Sequence, residues 1–381
     1  MPIDIVLKPR PPRVLFIGDN LWNPSRAYAR AFRQWGYQMF HVGRGAPDLD
    51  IAHIPTRNMQ YNGPFGRHQT QVRMVKLETL LDLIGIDFDF VFHVQDWTLP
   101  TGKSPIPYFF YCTEAMLPVC PQPTTFALSS TDAIKRIVKR DYPNINALGY
   151  LPHCVPGVMP KNAVFPDNPR PIKASFAGEI YSLFEAYAQR RMIAQTLKKD
   201  MSGFEGHWLG ESMDEKGRII PPDQRKIEAG QGRLGPDAYV KLLQSSKVGL
   251  NLPTAAGANF RDVEVPSLGA MLVTIQTPDH YLMGFRDGVN CRFFDGTPED
   301  AIAKCNAYDI NIARKGWELV VKGAEWKEPD NVGWSNEGHT IVPRMKQLGV
   351  FFNKFVGVTP PEWHPIEDLK EKEQNVPKTE T

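Results

Sequence analysis

Twice along this chain an apolar run ends in glycine and passes into a helix-forming stretch: Arg13-Val-Leu-Phe-Ile-Gly18 and, far downstream, Lys173-Ala-Ser-Phe-Ala-Gly178. A short apolar run of this kind suits a strand buried on both faces, the condition inside a parallel sheet. After the first run, Pro24 and Ser25 start a helix that Gly36 stops, and residues 37–42 read as the returning strand. That makes one β-α-β unit of about 30 residues. Further strands are expected at 88–94, 106–112, 125–128 and 147–151, with helices at 69–83 and 132–139. Residues 155–172 then carry five prolines and little periodicity, as an interdomain linker does. Beyond it the alternation resumes. Strands are expected at 173–178, 207–209, 248–252, 270–275 and 291–294. Helices are expected at 183–197, 236–244, 262–268, 298–306, 308–323 and 336–350.

A chain of 381 residues is too long for one ordinary hydrophobic core. Strands alternating with helices on both sides of a linker indicate an α/β protein with two doubly wound domains facing each other. The expected boundaries are 1–154 for the first domain, 155–172 for the linker and 173–335 for the second domain. A C-terminal helix follows at 336–356, and a disordered tail rich in Lys, Glu and Pro at 364–381. A formal net charge of +2 argues against a strongly electrostatic nucleic-acid binder. The five cysteines are scattered, without a C-x-x-C pair, as for reduced thiols in a cytosol. No apolar run reaches the roughly 18–20 residues of a membrane helix and no signal-peptide core opens the chain, so a cytoplasmic protein is expected.

The chemical motifs are sparse. The first β-α turn, Gly18-Asp19-Asn20, has one glycine where a dinucleotide fingerprint needs three, although such a turn can still hold a phosphate or a sugar. The second turn, Gly178-Glu179-Ile180-Tyr181, precedes a helix carrying Arg190 and Arg191. Either guanidinium can pair with a diphosphate, and either equally fits an exposed basic face. Two D-x-D triplets, Asp48-Leu49-Asp50 and Asp87-Phe88-Asp89, resemble the metal-holding element of some sugar transferases. The second starts a strand, where closing a turn is the simpler reading. Zinc-hydrolase, P-loop and serine-hydrolase motifs are absent from the sequence. His93, Asp96, Glu114 and His153 fall near carboxyl ends of expected strands, the edge that lines a ligand crevice. Asp96 and Glu114 are the candidate catalytic carboxylates on the acceptor side.

The densest cluster lies at 244–274. A strand ending in Asn251 leads through the small loop Thr254-Ala255-Ala256-Gly257-Ala258 into Asn259-Phe260-Arg261-Asp262-Val263-Glu264. A loop entering a helix start can offer backbone N–H groups to phosphate, Arg261 can neutralise a diphosphate, and Glu264 can accept a ribose diol. These residues, with K-V-G-L-N before them and P-x-x-G-A-x-L-x-T after, resemble the C-terminal signature of group 1 glycosyltransferases, in their CgeB-like (spore-protein) branch. Stretches 149–161, 173–191 and 339–348 match in the expected order, so the resemblance spans about 147–350.

The resemblance implies a GT-B fold: two facing Rossmann-like doubly wound domains with an interdomain cleft, the donor held mostly by the second. It implies a nucleotide-sugar co-substrate, a UDP-sugar first, with no other cofactor and no bound metal. It places Glu264 on the donor ribose, Gly257 and its loop near the phosphates, and the Gly18–Asn20 turn against the donor. The candidate donor-binding set is Gly18, Asn20, Gly178, Arg190, Arg191, Leu234, Asn251, Gly257, Arg261 and Glu264. Two departures stand out. Larger relatives carry a first glutamate where this chain has Ala256, and an Arg and Lys after the second glycine turn where this chain has Glu179. The expected function is transfer of a hexosyl or pentosyl group to a hydroxyl acceptor on a glycan, protein, small molecule or modified DNA. A phage-type DNA-base glycosyltransferase, using Lys135-Arg136, Lys139-Arg140 or Arg67-His68 and Arg73, and a non-catalytic GT-B-like binding protein are the alternatives.

Overall fold

Parallel strand pairing organises both halves of the computed structural model, which describes residues 10–18, 23–43, 53–55, 61–63, 66–68, 76–94, 104–113, 126–131, 135–136, 139–140, 147–155, 162–180, 185–209, 234–253, 257–323 and 337–361. The chain divides into two compact units, residues 1–130, 134–151 and 344–381 in one, and 131–133 and 152–343 in the other.

In the first unit, β1 (Arg13–Ile17), β2 (Gln38–Gly43) and β3 (His53–Pro55) run on one side of the switch. On the other side lie β6 (Phe90–Val94), β7 (Tyr108–Cys112), β8 (Phe126–Ser129) and β9 (Ala147–Tyr150), giving the order β3-β2-β1-β6-β7-β8-β9. A two-stranded hairpin, β4 (Tyr61–Gly63) with β5 (Gly66–His68), stands apart and was not foreseen from the pattern. Helix α1 (Asn23–Gln34) covers β1, and α2 (Leu77–Ile84) ends on Gly85 in the left-handed region. The expected helix at 69–83 therefore begins later among the described residues.

The core of this sheet is aromatic. Phe352 of the C-terminal helix sits 4.4 Å from Phe90, 4.8 Å from Phe109 and 5.9 Å from Phe32, ring centre to ring centre. Beside it, Gly149 lets Phe351 come so close that a Cβ would run into its ring. Gln347 donates to the Tyr150 carbonyl at 3.1 Å. Most of that helix (Ile341–Val356) thus belongs to the first unit, although it starts in the second.

The second unit has five parallel strands in the order β11-β10-β12-β13-β14: β10 (Ile172–Glu179), β11 (Phe204–Leu209), β12 (Ser246–Asn251), β13 (Met271–Ile275) and β14 (Arg292–Phe294). The connecting helices are α3 (Glu185–Asp200), α4 (Pro236–Ser245), α5 (Phe260–Ser267), α6 (Pro278–Leu282), α7 (Pro298–Asn306) and α8 (Ile310–Val321), and we number the C-terminal helix (Ile341–Val356) α9. Ala174, Phe176, Val248, Leu250, Met271 and Val273 pack under α3 and α7, while Val263, Val265 and Leu272 belong to a second apolar cluster with Phe285 and Leu319. Part of the proline-rich stretch expected as a linker is fastened to this unit. Arg170 is buried and donates to the carbonyls of Leu243, Ser246 and Leu268 at 3.1, 2.9 and 2.8 Å. Gly269, at φ +80°, makes the turn that lets this guanidinium lie against the end of α5.

Strand order reverses between β1 and β6 in the first unit and between β10 and β12 in the second. Doubly wound sheets bind ligands outside the carboxyl ends of the strands flanking such a point. Replacing Phe352 with alanine empties the centre of the aromatic core. We expect a loss of about 3–5 kcal/mol in urea unfolding, with the second unit's transition moved less.

Candidate functional site

At the β10–β12 switch point, two arginines from different helices converge on one ring. Phe176 and Gly178, two residues apart on β10, share a face of the sheet. Arg190, on α3, is buried, donates from Nε to the Leu252 carbonyl at 2.6 Å and lies 5.9 Å from the Phe176 ring centre and 5.4 Å from that of Tyr187. Arg261, on α5, lies 5.7 Å from the same Phe176 ring. Its two terminal nitrogens sit 3.1 and 3.2 Å from where a Cβ on residue 178 would be. The Phe176 ring would lie 2.9 Å from the same Cβ, so glycine at 178 leaves room for both the ring and the guanidinium. Both cations rest against aromatic faces. Arg261 Nε is buried with no hydrogen-bond partner among the described residues.

Helix α5 is aimed from below by a carboxylate that solvent never reaches. Asp262 is 0% exposed; Oδ1 accepts from Asn251 Nδ2 at 2.6 Å and Oδ2 from the Asn259 N–H at 2.8 Å. Asn251 is equally buried, and its own amide oxygen accepts from Asn259 Nδ2 at 3.1 Å. The Nδ1 of buried His280 accepts the Thr277 N–H at 3.0 Å, which leaves the ring proton on Nε2, 3.2 Å from Asp262 Oδ1. Burial pushes the Asp262 carboxyl up, but His280 and the hydrogen bonds from Asn259 and Asn251 outweigh it and hold it below the usual range.

The capping engages several backbone donors at the start of α5. The N–H groups of Ala258, Asn259 and Arg261 bond to Asp279, Asp262 and Asn259, and that of Asp262 bonds to the Asn259 carbonyl. These four N–H groups are engaged within the protein, and residues 254–256 of the loop lie outside the described residues. Gly257 is sterically required, since a Cβ there would meet Thr131 at 2.6 Å and Asp279 at 2.8 Å. Asn251 is thus tied to the first turn of α5, and Gly257 packs tightly just before it.

Glu264, one turn beyond Arg261 on the same helix, is partly exposed, and its Oε2 accepts from the Tyr239 hydroxyl at 2.8 Å. Tyr239 comes from the first turn of α4, entered through Gly235 and Pro236. Burial first, then the Glu264 charge, drive the Tyr239 hydroxyl well above its ordinary value, while Arg261 acts on it in the opposite sense. Tyr239 had no signal in the sequence beyond that of a half-buried aromatic on a helix.

The remaining candidates fall as follows. Leu234 precedes the N-cap of α4 and is partly buried. Arg191, next to Arg190, is only partly buried. In the first unit, Gly18 donates to Val42 and accepts from His41 Nε2, and a Cβ on it would meet Ser25 at 2.9 Å, so the helix α1 packing needs this glycine. His93 is buried and hydrogen-bonded to the Tyr108 hydroxyl at 2.7 Å. His153 is buried with its ring centre 4.0 Å from that of Phe260. Asp89 takes both Arg10 nitrogens and the Arg13 N–H, which ties the strand entrance as the turn reading expects. Asp96, Glu114, Asn20 and the Asp48–Asp50 triplet lie outside the described residues. Lys135 is partly buried, while Arg136, Lys139 and Arg140 are exposed. Among the described residues, no helix is long and apolar enough to cross a membrane.

Comparison with known proteins bears on the fold. Residues 189–328 match a family model described as glycosyl transferase-like. No curated protein matches. Among solved structures, HepE of Anabaena in complex with UDP and glucose is similar at TM-score 0.57 and 11% identity, covering 90% of this chain and 100% of that one. Sucrose-phosphate synthase of Thermosynechococcus elongatus is similar at 0.54 and 7%, covering 91% and 100%. A glycosyltransferase of Rickettsia africae is similar at 0.53 and 10%, covering 91% and 99%. At these identities the likeness establishes the fold: α/β, with the two Rossmann-like sheets of the GT-B class.

The Asp262 network carries a pH signature. Its folded carboxyl titrates below the unfolded one, so its contribution is complete above the unfolded value of about 3.9 and is lost as pH falls through the lower, folded value. The Asp262→Asn variant should be less stable at pH 7 yet lose less on acidification. Urea midpoints between pH 7 and pH 3 measure this, and parallel curves for the two proteins would rule it out.

Proposed function

We propose that the protein is a glycosyltransferase that moves a sugar from a nucleotide-sugar donor, UDP-linked in the first instance, to a hydroxyl acceptor. The observation that carries the reading is the convergence of Arg190 and Arg261 on Phe176 at the β10–β12 switch point, with Glu264 one turn from Arg261. Two guanidiniums beside the strand ends match a diphosphate, and a partly exposed carboxylate a helical turn away matches a ribose diol. The match of residues 189–328 to a glycosyl transferase-like model and the UDP and glucose held by HepE support the same class of donor.

In this reading the leaving diphosphate gains charge as the glycosidic bond breaks, and Arg190 and Arg261 stabilise it in place of a divalent ion. Arg190 is pre-oriented by the Leu252 carbonyl and Arg261 by Gly178 and Phe176, so little reorganisation is needed when the charge develops. Asp96 and Glu114 are the proposed acceptor-side carboxylates. The motif around Arg261 and Glu264 favours the CgeB-like branch of the group 1 superfamily.

A nucleoside diphosphate at a hundred times its Kd should stabilise the protein by about 2.7 kcal/mol, seen as a rise in melting temperature. Arg261→Gln should weaken UDP binding tenfold or more while leaving uridine binding nearly unchanged, since a hydrogen bond to a charged group contributes about 1.5–3 kcal/mol. Glu264→Gln should weaken both. The reading fails if no nucleoside diphosphate or nucleotide sugar shifts the melting temperature across a panel, or if transfer is abolished by EDTA and restored only by a divalent ion.

A further inference from the structure

Glu264 is the candidate diol ligand, yet a glutamate has three side-chain torsions and a diol needs its acceptor held in one place. The hold comes from another helix. The Tyr239 hydroxyl reaches Glu264 Oε2 at 2.8 Å from 25 residues upstream in the chain. An ionised carboxylate has no proton to give, so the tyrosine donates and its hydroxyl direction is set. Each carboxylate oxygen has more than one acceptor site, so this bond still allows Oε2 to receive a ligand hydroxyl. Arg261, three residues before Glu264 on the same helix, acts on the same hydroxyl in the opposite sense to Glu264.

We infer that Tyr239 is a positioning residue that locks Glu264 in the orientation a ribose 2′,3′-diol requires, and that it thereby sets a preference for ribonucleotide over deoxyribonucleotide donors; this rests on the nucleotide-sugar reading. The physical basis is pre-organisation. A carboxylate already held when the nucleotide arrives loses less side-chain freedom on binding, and the gain is realised only by a ligand carrying the hydroxyls that use it. A site built to receive a hydroxyl discriminates strongly against an analogue lacking it, because its polar group is left without that partner. Burial together with the neighbouring Glu264 charge keeps the Tyr239 hydroxyl protonated, so the donor persists across the physiological range.

The test is calorimetric titration of the full chain with UDP and 2′-deoxy-UDP, and with GDP and 2′-deoxy-GDP. Wild type should prefer the ribonucleotide, and Tyr239→Phe should weaken the ribonucleotide about tenfold while changing the deoxynucleotide little, so the ratio of the two Kd values falls toward one. Glu264→Gln should show the same collapse, and adding Tyr239→Phe to it should change nothing further. The Glu264→Gln pair keeps the test open if Tyr239→Phe alone folds poorly. An equal loss for both nucleotides in Tyr239→Phe would make Tyr239 a brace for α4 and overturn the inference while leaving the nucleotide reading intact. Wild type binding none of the four nucleotides would overturn both.

Discussion

One buried carboxylate orders the site. Asp262 joins the end of β12, through Asn251, to the first turn of α5, through the Asn259 N–H, and to α6, through His280. Taking such a charge out of water costs several kcal/mol unless partners replace the solvent. The partners here are distributed over three elements, so the charge is stable only when those elements are in place together. Because Asp262 points inward, helical spacing turns Arg261 and Glu264, three residues apart, to a shared face on the other side. The two proposed donor-binding side chains are thus aimed by a buried residue on the opposite side of their helix.

The same capping engages backbone donors at the start of α5. Phosphate sites at the ends of doubly wound strands commonly use free N–H groups of a glycine turn and helix start. In this chain Asn259, Asp262 and Asp279 engage most of those donors at α5, and Gly178 is followed by an acidic residue. Two guanidiniums stand at that sheet edge instead, one lying over the glycine itself. At this glycine an arginine side chain comes close to the strand end.

Much of the sheet was legible because buried parallel strands write themselves as short apolar runs. The strands at 13–17, 90–94, 108–112, 172–179 and 271–275 were expected within a few residues. The short helix α6 was missed, as five residues carry too little periodicity to read. The proline-rich stretch reads as an interdomain linker, and Arg170 fastens part of it to three carbonyls of the second unit. An arginine among prolines carries no mark of that role, since its acceptors are backbone groups far along the chain. The choice between Arg190 and Arg191 was open for a similar reason. Neighbours on a helix point about 100° apart, and only the position of the sheet decides which one turns inward.

The amino-acid sequence determined the alternation of strands and helices and the clustering of Arg261, Asp262 and Glu264 near a strand end. Those are local properties, set by hydrophobic period and by glycine and proline placement. Only the tertiary structure decided which members of that cluster face inward, that Arg190 shares a ring with Arg261, and that Tyr239 holds Glu264. Each of those contacts joins residues far apart in the chain, and their geometry follows from how α3, α4 and α5 dock on β10 and β12. No local pattern encodes a distance between two helices; packing of the sheet beneath them does.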